Sequence, residues 1–89
     1  MTDDNIKLMW FVYIVECSDG SLYTGITTDV NKRIETHNKG KGAKYTKTRL
    51  PVHLRVYFNS ENRSTASKEE YRIKKLTRKE KLSLIKSVV

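Results

Sequence analysis

The sequence predicts an α+β fold: a three-stranded antiparallel sheet flanked by helices, in the order β-β-α-β-α-α. Three observations predict it. Two runs rich in β-branched and aromatic residues, Trp10 to Cys17 and Ser21 to Thr27, face each other across Ser18-Asp19-Gly20 and read as a hairpin. A third run of the same kind, Val52 to Phe58, follows Pro51. The segments between and after these runs carry helix-start signals and apolar residues at helical spacing.

Each element has a local reason. Residues 1–8 read as a flexible lead-in to the first strand. A three-residue hairpin loop with Gly20 in the left-handed position pairs Cys17 with Ser21, Val15 with Tyr23 and Tyr13 with Gly25. That register puts Tyr13, Tyr23 and Cys17 on one face and Trp10, Val12, Ile14, Leu22 and Ile26 on the other. A two-residue loop would split the tyrosines, and the apolar sorting favours the longer one. Gly25 inside a strand marks a close approach to the backbone. Asp29 is a helix N-cap for Val30 to Asn38. Residues 39–49 form a loop with room for one helical turn, holding five bases and no acid. Asn59 to Arg63 turns the chain, and Ser64 or Thr65 opens a helix to about Leu76. Thr77 and Glu80 form a capping-box pattern for a last helix, Arg78 to about Ser87, whose apolar side is Leu82, Leu84, Ile85 and Val88.

At 89 residues the chain has room for one domain, expected over residues 1–89, and one modest core. Hydrophobic residues make up 37%, and the longest apolar run, Leu8 to Val15, is far short of the ~20 residues of a membrane helix. The start, Met1-Thr2-Asp3-Asp4, lacks the basic and apolar character of an export signal. Cys17 is the single cysteine, which excludes an internal disulfide. Together these features predict a cytoplasmic protein with no membrane partner. The net charge of +8 is segregated: residues 1–31 hold one base and five acids, residues 32–55 eight bases and one acid, and residues 56–89 nine bases and four acids. Such a surface attracts polyanions, with nucleic acid the expected partner.

Helical periodicity places ionisable residues where a core stripe belongs. His37 falls on the stripe of Val30 and Ile34, with Arg33 one turn before it. Glu70 falls between Ala66 and Ile73 on the later helix, where an acid is costly unless it is paired or binds a metal. Taken singly, a hydrogen-bonded core histidine and an Arg33–Glu70 ion pair would account for them. Two tyrosines on the hairpin face beside them change that weighting.

Phe11-Val12-Tyr13, Tyr23-Thr24-Gly25, Arg33, His37 and Glu70, in this order and spacing, resemble the signature of the GIY-YIG nuclease superfamily. Residues 12–27, 33–52 and 69–76, with Thr77-Arg78-Lys79-Glu80-Lys81, are similar to its small stand-alone members, so the resemblance spans residues 10 to about 86. The chain departs from the pattern in lacking the glycine of the first motif, in carrying Thr24 inside the second, in having no lysine shortly after it, and in having His37 where some members have tyrosine. These departures bear on rate and substrate rather than on fold.

The resemblance implies a metal-dependent endonuclease hydrolysing phosphodiester bonds, DNA being favoured over RNA, with low sequence specificity. It implies one Mg²⁺ or Mn²⁺ held by Glu70. Arg33 suits clamping of the scissile phosphate, and Tyr13 or Tyr23 suits proton relay from the attacking water with His37 assisting. Lys39, Lys41, Lys44, Lys47 and Arg49 form the expected nucleic-acid-binding loop, with Tyr45 placed to stack on a base or to cover the helix end. The alternative is a non-catalytic nucleic-acid-binding module on the same fold.

Overall fold

The computed structural model describes residues 9–88, so the lead-in expected over residues 1–8 lies outside the described residues. The elements are β1 (Trp10–Glu16), β2 (Leu22–Thr27), α1 (Val30–Asn38), α2 (Lys44–Lys47), β3 (His53–Ser60), α3 (Arg63–Lys74) and α4 (Arg78–Val88). The sheet is antiparallel, with β1 central in the order β2-β1-β3. This is the expected fold class and element order, with α2 as the one turn allowed for in the basic loop.

The hairpin has the register set by the three-residue loop. Cys17 N–H donates to Ser21 O at 2.8 Å, and Gly20 sits at φ +84°. Tyr13 stands opposite Gly25 and Val15 opposite Tyr23. Strand alternation then sorts the sheet into two faces. On one, Val12, Ile14 and Val56 pack with Ala66 and Ile73 of α3 and Ile85 of α4, and Trp10, Leu22, Ile26 and Phe58 close around them. On the other, Tyr13, Val15, Cys17 and Val52 pack with Tyr23, Leu50 and Ile34 of α1. Burying a side chain such as Ile14 or Ile73 contributes about 1.5–3 kcal/mol, so the first cluster is the main source of stability.

The helix ends follow local chemistry, with three differences from expectation. The Asp29 side chain caps α1 through Lys32 N–H, and α1 has the expected bounds. Thr77 and Glu80 cap α4 reciprocally, Thr77 N–H to Glu80 Oε1 at 2.9 Å and Glu80 N–H to Thr77 Oγ1 at 3.1 Å. β3 runs to Ser60 rather than ending at Phe58, because Trp10 and Phe11 of β1 still offer partners to Ser60 and Asn59. The N-cap of α3 is therefore Asn62, which accepts from Thr65 N–H at 2.8 Å, and not Ser64 or Thr65. All three residue types cap well, so the end of the sheet pairing decides which one does. Val88, assigned to the apolar side of α4, is 49% exposed.

Candidate active site

The hairpin, α1 and the basic loop converge on one hydroxyl. Tyr13 is 1% exposed, and its ring lies over the backbone of Gly25, where a Cβ would come within 2.5 Å of the phenol oxygen. The close approach expected at Gly25 is thus made by Tyr13 itself. The hydroxyl lies 2.7 Å from His37 Nε2, and Arg33 Nε–H donates to it at 3.4 Å. His37 is fully buried in the last turn of α1, and its Nδ1 lies 2.8 Å from Thr46 Oγ1 of α2. Thr46 Oγ1, also fully buried, donates to Ala43 O at 3.0 Å.

Tyr23 shares this face. Its ring centroid is 5.5 Å from that of His37 and 5.9 Å from that of Tyr45, on which it stacks. It is half-buried, so it stands nearer the surface than Tyr13. Burial pushes the Tyr13 phenol above its ordinary pKa, against the pull of Arg33, while the charges of Tyr23 and Glu70 push it further up. Burial, then the Arg33 charge, holds the His37 imidazole below its ordinary value. At neutral pH the pair is a protonated phenol against a neutral imidazole.

Glu70 reaches this cluster from elsewhere than its periodicity suggested. α1 and α3 lie on opposite faces of the sheet, so the two helices do not aim at a common face. Nor is Glu70 buried: its side chain is 23% exposed, and its Oε2 pairs with Lys74 Nζ at 3.3 Å, one turn on. Lys74 Nζ lies 5.7 Å from the Tyr23 ring, so the edge strand β2 is where the two faces meet. Glu69 turns the other way, pairing with Arg72 and lining a pocket with Phe58 and Leu84. Beside β2 a cleft of about 360 Å³ is lined by Leu22, Tyr23, Thr24, Tyr45, Lys74 and Lys81.

The donor set bears on the implied metal. Among the described residues no three His, Cys, Asp or Glu side chains come together. A single half-buried carboxylate does not fit an ion that needs a protein cage. It fits a hydrated Mg²⁺ or Mn²⁺ that draws its other ligands from water and phosphate.

In the basic loop, Lys39, Lys41, Lys44 and Lys47 are exposed, and none is in an ion pair among the described residues. Arg49 is engaged: its Nε–H donates to Asp19 Oδ2 at 3.0 Å, its Nη1–H to Tyr45 O at 2.7 Å, and its guanidinium lies 4.0 Å from the Tyr45 ring centroid. Tyr45 thus contacts both Tyr23 and Arg49 and remains 40% exposed. Neither Thr46 nor Lys74 is among the site residues expected from the sequence. Spacing from Glu70 by four residues was the available signal for Lys74. For Thr46 there was none, because a four-residue helix has too few turns to show a period.

Gly25→Ala tests the Tyr13 placement. The added methyl forces the phenol off its seat, so stability is expected to fall by about 1–3 kcal/mol, as overpacking does. In urea denaturation, an unchanged midpoint would mean that the ring has room to spare.

A family model described as the GIY-YIG catalytic domain matches residues 9–83. A UPF0213 protein of Staphylococcus aureus is 63% identical over 76 residues, which cover 85% of this chain and 93% of that protein. Two structures solved by solution NMR are similar. One, of a UPF0213 protein of Bacillus halodurans, shows 46% identity and a TM-score of 0.57, with 88% of this chain and 83% of that one covered. The other, of a protein of E. faecalis, shows 42% identity and a TM-score of 0.62, with 92% and 88% covered.

Proposed function

We infer that this chain, which belongs to the GIY-YIG family of nuclease catalytic domains, cleaves phosphodiester bonds of nucleic acid by metal-assisted hydrolysis. DNA is the favoured substrate, and sequence specificity is low. The observation that carries the reading is the Tyr13 hydroxyl, set between His37 Nε2 at 2.7 Å and Arg33 Nε at 3.4 Å.

The residues divide the work. Arg33 presents a planar, permanently charged donor fork that suits a non-bridging phosphate oxygen. When it engages phosphate, its Nε–H leaves the Tyr13 oxygen, which then accepts a proton from the attacking water. Tyr13 passes its own proton to His37 Nε2, so the phenol ends as it began and the charge rests on the imidazole. A free phenol titrating near ~10 is a poor base at neutral pH, and this exchange avoids a standing phenolate. Tyr13 rather than Tyr23 is thus the relay, because it has a base within hydrogen-bond reach. Tyr23, nearer the surface, lines the cleft where substrate enters. Glu70 is the residue that would hold a divalent cation, with Lys74 giving up its ion pair. A bound Mg²⁺ or Mn²⁺ supplies a Lewis acid that polarises a phosphoryl oxygen and offsets charge developing in the transition state.

Low sequence specificity is supported by the kind of charge at the surface. The free cations of the loop are lysines, which meet phosphate as point charges. Arg49, the loop side chain with the fork to read guanine, is engaged by Asp19. Replacing Lys41, Lys44 and Lys47 together by alanine is expected to flatten the slope of log affinity against log salt by roughly two to three units on duplex DNA. A slope within error of the parent chain would move the phosphate track elsewhere.

The decisive experiment is incubation of the pure protein with plasmid, branched DNA and RNA in Mg²⁺ or Mn²⁺. Cleavage of at least one substrate, abolished by chelator, is the expected result. Binding of all three without cleavage would leave the non-catalytic binding module as the function.

A further inference from the structure

We propose that Thr46 is a positioning residue that holds the His37 imidazole in the Nδ1–H tautomer, leaving Nε2 bare to receive the Tyr13 proton. The proposal rests on the nuclease reading for its purpose, but not for its geometry. Three hydroxyl, ring and carbonyl contacts are in series: Tyr13 Oη to His37 Nε2 at 2.7 Å, His37 Nδ1 to Thr46 Oγ1 at 2.8 Å, and Thr46 Oγ1 to Ala43 O at 3.0 Å. A carbonyl only accepts, so the single hydroxyl hydrogen of Thr46 is committed to Ala43. Thr46 then has only lone pairs to offer Nδ1, and Nδ1 must carry the ring hydrogen. With Nδ1 protonated, Nε2 accepts from the Tyr13 hydroxyl, whose oxygen accepts in turn from Arg33. Each hydrogen in the series has an acceptor.

The opposite tautomer strands the more deeply buried hydrogen. Nε2–H would donate to Tyr13, whose own hydrogen, in a residue 1% exposed, would face two donors. Thr46 would have to turn from Ala43 O to Nδ1. Its gain would be Ala43 N–H donating to Nδ1 at 3.4 Å, which is long beside 2.8 Å. A buried polar hydrogen without a partner is costly, so Nδ1–H is favoured: it leaves unmade only the long, part-buried Ala43 N–H contact, and not the 2.7 Å bond of the buried Tyr13 hydroxyl. Gly42 is an independent observation on the same atom. A Cβ there would lie 2.2 Å from His37 Nδ1, so only a glycine lets the loop bring Thr46 to the ring.

The tautomer can be read without substrate, from the ¹⁵N spectrum of the imidazoles. The chain has two histidines, and the exposed His53 serves as the internal reference. The expected result is a pyridine-type nitrogen at Nε2 of His37 in the wild type and a gain of Nε2–H in Thr46→Val, which keeps the shape and removes the hydroxyl. Turnover should fall by about 10²-fold with KM for DNA unchanged, the size of a lost general base. Thr46→Ser should recover most of both signals. Nε2–H in the wild type would overturn the proposal, and that measurement suffices should Thr46→Val not fold. An unchanged tautomer in Thr46→Val would overturn it too. If the tautomer changes as expected while no substrate is cut by the wild type, the positioning stands and the nuclease reading fails.

Discussion

Replacing Tyr13 by Phe is expected to lower turnover by about 10²–10⁴-fold while the protein stays folded. The ring keeps its seat over Gly25, so packing of the α1 face is preserved. What is lost is the hydroxyl between His37 and Arg33. Leaving the buried His37 Nε2 without a donor costs about 1–3 kcal/mol, against a total of about 5–15 kcal/mol for a typical small domain. The activity loss is therefore not a folding loss, and a urea titration beside the rate measurement separates the two. Tyr23→Phe, whose hydroxyl has no such base within reach, is expected to cost much less. If the two variants lose activity equally, the relay does not run through Tyr13 alone. The same arrangement fixes the pH response. The relay needs neutral His37, and burial, with the nearby Arg33 charge, keeps its pKa low. Activity should hold below the ordinary imidazole value of about 6.5 and fail only as pH drops through the depressed one. Stability moves in the same sense. The unfolded chain binds that proton more readily, so the contribution is present above about 6.5 and is lost as pH falls towards the native value.

Glu70→Gln is expected to remove divalent-ion-dependent cleavage by about 10³-fold or more, equivalent to about 4 kcal/mol of transition-state stabilisation. Its effect on stability should be small. The pair it breaks, with Lys74, is an i,i+4 contact with both partners partly exposed, and such pairs contribute about 0.3–0.5 kcal/mol. Titration of Mn²⁺ into each protein gives a second readout that does not depend on turnover: wild type should bind in the presence of an uncleavable phosphodiester and the variant should not. Glu69→Gln is the control. Glu69 pairs with Arg72 and lines a pocket with Phe58 and Leu84, away from the tyrosines, so its loss should leave cleavage unchanged. The reverse pattern, with Glu69 essential and Glu70 dispensable, would put the metal on the wrong side of α3 for this site.

The sequence by itself determined whatever rests on local pattern. Alternation of apolar and polar residues along the hairpin decided the register, and with it that Tyr13 and Tyr23 share a face, because a slip of one residue would turn every side chain over. Asp29 and the Thr77–Glu80 pair determined two helix starts through hydrogen bonds that reach only three residues. Gly25 announced a close approach but not its partner. Tertiary structure alone decided the rest. A helical stripe tells which residues point inward and not which sheet face they meet. Thus Arg33 and Glu70, each inward by periodicity, lie on helices packed on opposite faces, and Glu70 answers to Lys74 instead. That Tyr13 has the His37 nitrogen within hydrogen-bond reach depends on where His37 ends up, 24 residues along the chain. The Thr46 hydroxyl reaches His37 only because α2 folds back against α1 with Gly42 leaving room for the ring. No periodicity encodes such a contact, because its free energy belongs to a buried hydrogen-bond series that exists only once these elements have packed together.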